Sequence, residues 1–77
     1  MKEFIEFIAK YLVDSPDNVV VEVKTAEDKN IILTLKVKQD DIGKVIGKKG
    51  KTALAMRTLL TAIAAKEGKR AVLEILD

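Results

Sequence analysis

The chain contains no cysteine and no histidine. Their absence removes disulfides, thiol nucleophiles, imidazole bases and the usual zinc ligands together. A small domain without disulfides fits a reducing compartment, so a cytoplasmic location is expected. Aromatic residues are scarce. One Tyr, two Phe and no Trp are present, and Phe4, Phe7 and Tyr11 all fall near the N-terminus. Stacking platforms of the kind used by many single-strand binders are therefore missing from the rest of the chain. No apolar run is long enough to cross a membrane. The N-terminal "MKEFIEFIAKYLVDSPD" is broken by Glu3, Glu6 and Lys10, which excludes both a signal-peptide core and a membrane span.

Acidic residues are missing from one long window. Between Ile42 and Lys66 there is no Asp or Glu, while Lys44, Lys48, Lys49, Lys51, Arg57 and Lys66 give the window a charge of +6. The remainder of the chain sums to −4. A basic segment on an acidic scaffold creates a directed field for anions, although a charge run by itself is often only a solvated face. With 77 residues and a hydrophobic fraction of 48%, one compact domain covering 1–77 is expected.

The periodicities outline six elements. Residues 2–13 read as a helix, with Ile5, Ile8, Ala9 and Leu12 at helical spacing and Phe4, Phe7 and Tyr11 widening the apolar face. Pro16 ends that region. "VVVEVKT" (19–25) is short and β-branched, and "IILTLKVK" (31–38) alternates, with Ile31, Leu33, Leu35 and Val37 on one side. The two predict an antiparallel hairpin. Asp40 or Asp41 can cap a short helix, "DIGKVI", buried through Ile42, Val45 and Ile46. Gly43 within it is expected where another element comes close. "KTALAMRTLLTAIAAK" (51–66) is a strong helix with Ala53, Met56, Leu60 and Ile63 as its stripe and Leu59 and Ala64 beside them. Gly68 caps it. "RAVLEIL" (70–76) is a last strand. The order α-β-β-α-α-β predicts a two-layer α+β fold. A three-stranded mixed sheet carries three helices on one face, and the last two strands, if adjacent, are parallel.

The chemistry concentrates in "GKVIGKKGKT", residues 43–52. Its end, Gly50-Lys51-Thr52, looks like the close of a nucleotide-binding P-loop. That motif requires a Gly five positions before Gly50, where Val45 stands, and a strand directly before the loop. Neither condition holds. A faint likeness of "AVLEILD" to a metal-holding strand depends on Asp77. The alternative is a turn between two helices, Gly47-Lys48-Lys49-Gly50. Glycines without Cβ let main chain approach phosphates, and the helix that follows directs free N–H groups and its positive dipole end at an anion. Lys48 and Lys49 occupy the middle of the turn, Lys44 lies one helical turn before Lys48, and Lys51 and Arg57 extend the positive track.

"IGKVIGKKGKT" resembles the signature of the KH domain, V-I-G-x-x-G, here Val45 to Gly50. The element order is similar to the type II, prokaryotic form, and the likeness extends over 1–77 as a single KH domain, with "LVDSPD" after the first helix as in small bacterial single-KH proteins. The resemblance implies a single-stranded RNA-binding protein whose G-x-x-G loop clamps about four unpaired nucleotides. It also implies an RNA chaperone or post-transcriptional regulator. The RNA contacts it implies are Lys44, Gly47, Lys48, Lys49, Gly50, Lys51, Arg57 and Arg70. The opposite wall would be the last strand, with Lys69 and Arg70 at its edge, and the floor Ile42, Val45, Leu54 and Val72. Ala53 departs from the bulky aliphatic that many relatives carry there. No enzyme activity, metal, cofactor, small-molecule substrate or membrane partner is expected. The rival reading is an assembly module using Val20, Ile32, Val72 and Leu76 on the far strand faces and the wide face of the first helix, and the resemblance implies pairing as a homodimer or as a heterodimer with a Jag-type KH protein.

Overall fold

A computed structural model describes residues 1–76. Helix α1 (Lys2–Leu12) leads to strand β1 (Val20–Thr25), strand β2 (Asn30–Lys36), helix α2 (Ile42–Ile46), helix α3 (Lys51–Lys66) and strand β3 (Arg70–Leu76). The sheet order is β1-β2-β3, with β1 antiparallel and β3 parallel to the central strand. The mixed sheet and the three helices form the expected α+β architecture. The suggested role of Asp77 lies outside the described residues.

One core joins the two layers. Val21, Ile31, Leu33, Leu35 and Leu73 line one side of the sheet and meet Ile5, Ala9, Val45, Met56 and Leu60 from the helices. Several sequence expectations require correction. Phe7 and Tyr11 lie on the apolar face of α1 but outside its buried part, at 72% and 83% exposed. In α3 the buried stripe is Ala53, Met56, Leu60 and Ala64, and Leu59 is exposed. The stripe follows the core-facing side, which at the C-terminal end of α3 passes through Ala64 rather than Ile63. Ile46 is also exposed, so α2 buries itself chiefly through Val45. Val45 accordingly belongs to the core and not to any groove floor.

Two connections show how local backbone fixes the frame. The β1–β2 turn places consecutive non-glycine residues, Asp28 and Lys29, at φ of 58° and 63°. Two central residues of positive φ match the right-handed twist of a hairpin. At the end of α3, the Gly68 amide donates to the Ala65 carbonyl at 3.0 Å and the Lys69 amide to the Ala64 carbonyl at 2.9 Å. This paired closure satisfies terminal carbonyls and uses the φ of 69° that Gly68 adopts without strain. It confirms Gly68 as the end of the helix and turns the chain directly into β3.

Candidate nucleic-acid interface

The turn between α2 and α3 is held from within. The Gly47 amide donates to the Gly43 carbonyl at 2.9 Å, and the Gly50 amide to the Gly47 carbonyl at 3.1 Å. The Lys51 amide donates to the Lys48 carbonyl. Part of the expected set of free N–H groups is therefore already used. The amides of Lys48 and Lys49 make no such turn bond among the described residues. Both side chains are exposed and Gly47 and Gly50 are half-buried, so the turn lies open to solvent.

The two glycines answer different demands. Gly47 has φ 78° and ψ 172°, a region open essentially only to glycine. A Cβ there would also run into the Thr52 hydroxyl and stand 2.9 Å from the Thr52 amide nitrogen. Packing and backbone together account for Gly47. Gly50 has φ 74° and ψ 12°, in the left-handed helical region. A Cβ there would meet nothing within 4 Å. Gly43 is open in the same way, which corrects the expectation of a close neighbour. Among the described residues no packing demand explains its missing side chain.

The charged residues divide into two groups. Lys48, Lys49, Lys51 and Arg57 are exposed and make no salt bridge among the described residues. Lys44 differs, because its Nζ lies 3.0 Å from Asp14 and 3.5 Å from Asp41. Asp41 is only 2% exposed and its Oδ2 accepts the Ser15 amide at 3.1 Å. It stands at the N-cap of α2 but makes no capping hydrogen bond there. Asp41 thus ties the chain after α1 to the base of α2, and Lys44 closes the tie. Withdrawal from water opposes the charge on Asp41, but the amides of Ser15 and Asp14 and the Lys44 ammonium outweigh it and hold the carboxyl below its ordinary value of 3.8. The hydrogen bond and charge of Asp14, aided by Asp41 against partial desolvation, raise Lys44 above its ordinary 10.5. Within the cluster only the Asp41–Lys44 pair is local in sequence; Asp14 and Ser15 are brought to it by folding.

Arg57 has a partner that periodicity does not reveal. Its Nε donates to the Leu73 carbonyl on β3 at 3.4 Å. Arg70 is exposed at the start of β3, with the strand alternation placing it beside Val72 on the sheet face away from the helices. The structure does not bring Arg70 to the turn, and Val72 likewise cannot floor a groove on the helical side. Leu54, 63% exposed, remains as the apolar residue between turn and Arg57. No group of three or more metal-ligating side chains gathers among the described residues, and no helix there is long and apolar enough to cross a membrane.

Comparison with known proteins gives a consistent result. The family model described as "KhpA/KhpB, KH domain" matches residues 2–75. A protein of Clostridium acetobutylicum named RNA-binding protein KhpA is 55% identical, with 99% of this chain and all of the relative aligned. One of the same name from Borreliella burgdorferi is 55% identical over 97% of this chain and 90% of its own length. The namesake in Aquifex aeolicus is 49% identical over 100% and 96% respectively. No solved structure gives a significant match.

Proposed function

The chain belongs to the KhpA/KhpB family of KH domains, and on that premise we propose that it binds single-stranded RNA at the Gly47–Gly50 turn. The observation that carries the reading is the open face at Gly50, bare of Cβ contacts and fringed by Lys48, Lys49 and Lys51. A phosphate lying on that face is within reach of the Lys48 and Lys49 amides and meets three cations that no carboxylate neutralises among the described residues. Arg57 continues the track along α3. Lys44 acts as a brace that shapes the turn from behind, and Arg70 adds only to the general field. Affinity comes mainly from phosphates, so a single copy binds weakly and permissively, as suits an RNA chaperone or post-transcriptional regulator.

The test is charge reversal at the turn. Lys48→Asp with Lys49→Asp should abolish binding to a single-stranded oligoribonucleotide and leave the circular dichroism and melting curve essentially unchanged. A folded double variant that binds as before would remove the clamp.

A second reading is favoured by a separate observation. Val20, Val72 and Leu76 are exposed on the bare side of the sheet, and Phe7 and Tyr11 on α1. Such surplus apolar surface fits assembly with a second copy or with a larger Jag-type KH protein. Assembly and RNA binding are compatible, and two weak sites joined in one particle gain by effective concentration.

A further inference from the structure

From the free edge of β1 we infer that two copies of this chain join strand to strand, β1 against β1, with Val23 at the two-fold axis. The inference is independent of the RNA-binding reading and uses a surface other than the bare side of the sheet. β1 is an outer strand in the order β1-β2-β3. The Ala26 amide donates to the Asn30 carbonyl at 2.7 Å, and the Val37 amide to the Leu76 carbonyl at 3.4 Å. Backbone groups alternate in direction along a strand. Both bonds therefore give one phase: in β1 the main chain of Val20, Glu22 and Lys24 faces β2, and that of Val21, Val23 and Thr25 faces outward. Those outward groups make no hydrogen bond to another part of the chain among the described residues. The helices also stop short of this edge. Val23 shares the helical side of the sheet with the buried Val21, yet is 45% exposed. The opposite edge differs, since Arg57 donates to the Leu73 carbonyl on β3.

The side chains fix the occupant and its register. β1 contains no proline, and its pairing with β2 runs unbroken from Val20 to Thr25. Such an edge is a template for another strand. An antiparallel second copy centred on Val23 sets Val23 opposite the second copy's Val23 and Val21 opposite its Thr25. Each outward pair exchanges two N–H···O=C bonds, about six in all. The exposed Val23 side chains then cover each other on the helical side. On the other side Glu22 meets the second copy's Lys24, twice by symmetry, in the closer pairs that carry no backbone bond. A slip of two residues one way sets Glu22 against Glu22, and a slip the other way sets Lys24 against Lys24. Like charges directly opposite are destabilising. The charge order therefore selects a single register, and a copy of the same strand supplies its complement, as an isologous contact requires.

Sedimentation equilibrium over a concentration series tests the joint, at low ionic strength because salt screens exposed charge pairs. The unaltered chain should dimerise reversibly. Glu22→Lys and Lys24→Glu each set like charges opposite one another and should weaken the dimer at least about tenfold. Neither residue makes a salt bridge within the chain among the described residues, so melting curves of both variants should stay close to the original. An equimolar mixture of the two variants restores both contacts and should associate as the unaltered chain does. The double exchange, Glu22→Lys with Lys24→Glu, should do the same. Val23→Pro removes an amide that no bond within the sheet uses and should leave a folded monomer. Val72→Asp, on the bare side of the sheet, should leave the dimer as it was. A chain that stays monomeric throughout the series overturns the inference, and so does a dimer indifferent to both charge reversals. Loss of the dimer in a folded Val72→Asp variant moves the contact to the sheet face and overturns it as well.

Discussion

At the scale of the residue, the two glycines of one turn carry separable burdens. Gly47→Ala forces a side chain into a backbone region reserved for glycine and against Thr52, and should destabilise the fold by about 2–3 kcal/mol in urea unfolding. Gly50→Ala faces only the left-handed helical penalty, about 1–2 kcal/mol. If the proposed clamp is right, its effect on RNA binding should nevertheless be larger than its effect on stability, because the new methyl would stand on the face proposed for the phosphate. The Asp41 cluster makes a second prediction at this scale. Asp41 is more acidic folded than unfolded, so its contribution is complete above its ordinary value of 3.8 and is lost as pH falls through the lower folded value. Lys44 contributes fully below 10.5 and loses that contribution as pH rises through its higher folded value. Asp41→Asn should flatten the acid limb of melting temperature against pH. The motif that raised the RNA question was legible residue by residue. The state of Lys44 was only half legible, since Asp41 lies three residues before it but Asp14 reaches it only after folding.

At the scale of the element, periodicity located all three helices and all three strands, with boundaries shifted by a residue or two. Alternation in β2 named its buried side correctly because one face of the sheet is covered and the other is not. Reading fails where an apolar residue need not be buried. Phe7, Tyr11 and Leu59 have the composition of a core and the exposure of a surface. The hairpin itself is legible, but the geometry of its turn is not. Asp28-Lys29 contains no glycine, so the sequence lacks the usual mark of a turn with two positive φ angles. Lys29→Gly removes a side chain from the left-handed region and should stabilise the protein by up to about 1 kcal/mol, measured as a shift in urea midpoint at constant slope.

At the scale of the whole molecule, charge separation governs how partners meet it. With Lys44 bound to carboxylates, the cations along the track that make no salt bridge among the described residues are Lys48, Lys49, Lys51 and Arg57. Contact with about four phosphates of a single strand predicts a slope of roughly −3 for log affinity against log salt concentration. Titrations between low and moderate salt measure it, and a flat response would argue for association between proteins alone. Light scattering over a concentration series gives the complementary result: the assembly reading expects a molar mass near twice 8.5 kDa. The helices cover one side of the sheet and leave the other bare, so the inter-helix bend and the exposed strand residues look in opposite directions. If the two proposed surfaces are both used, a protein docked on the bare side would leave the turn unobstructed, and mixtures should then yield ternary complexes in place of exchange between rivals.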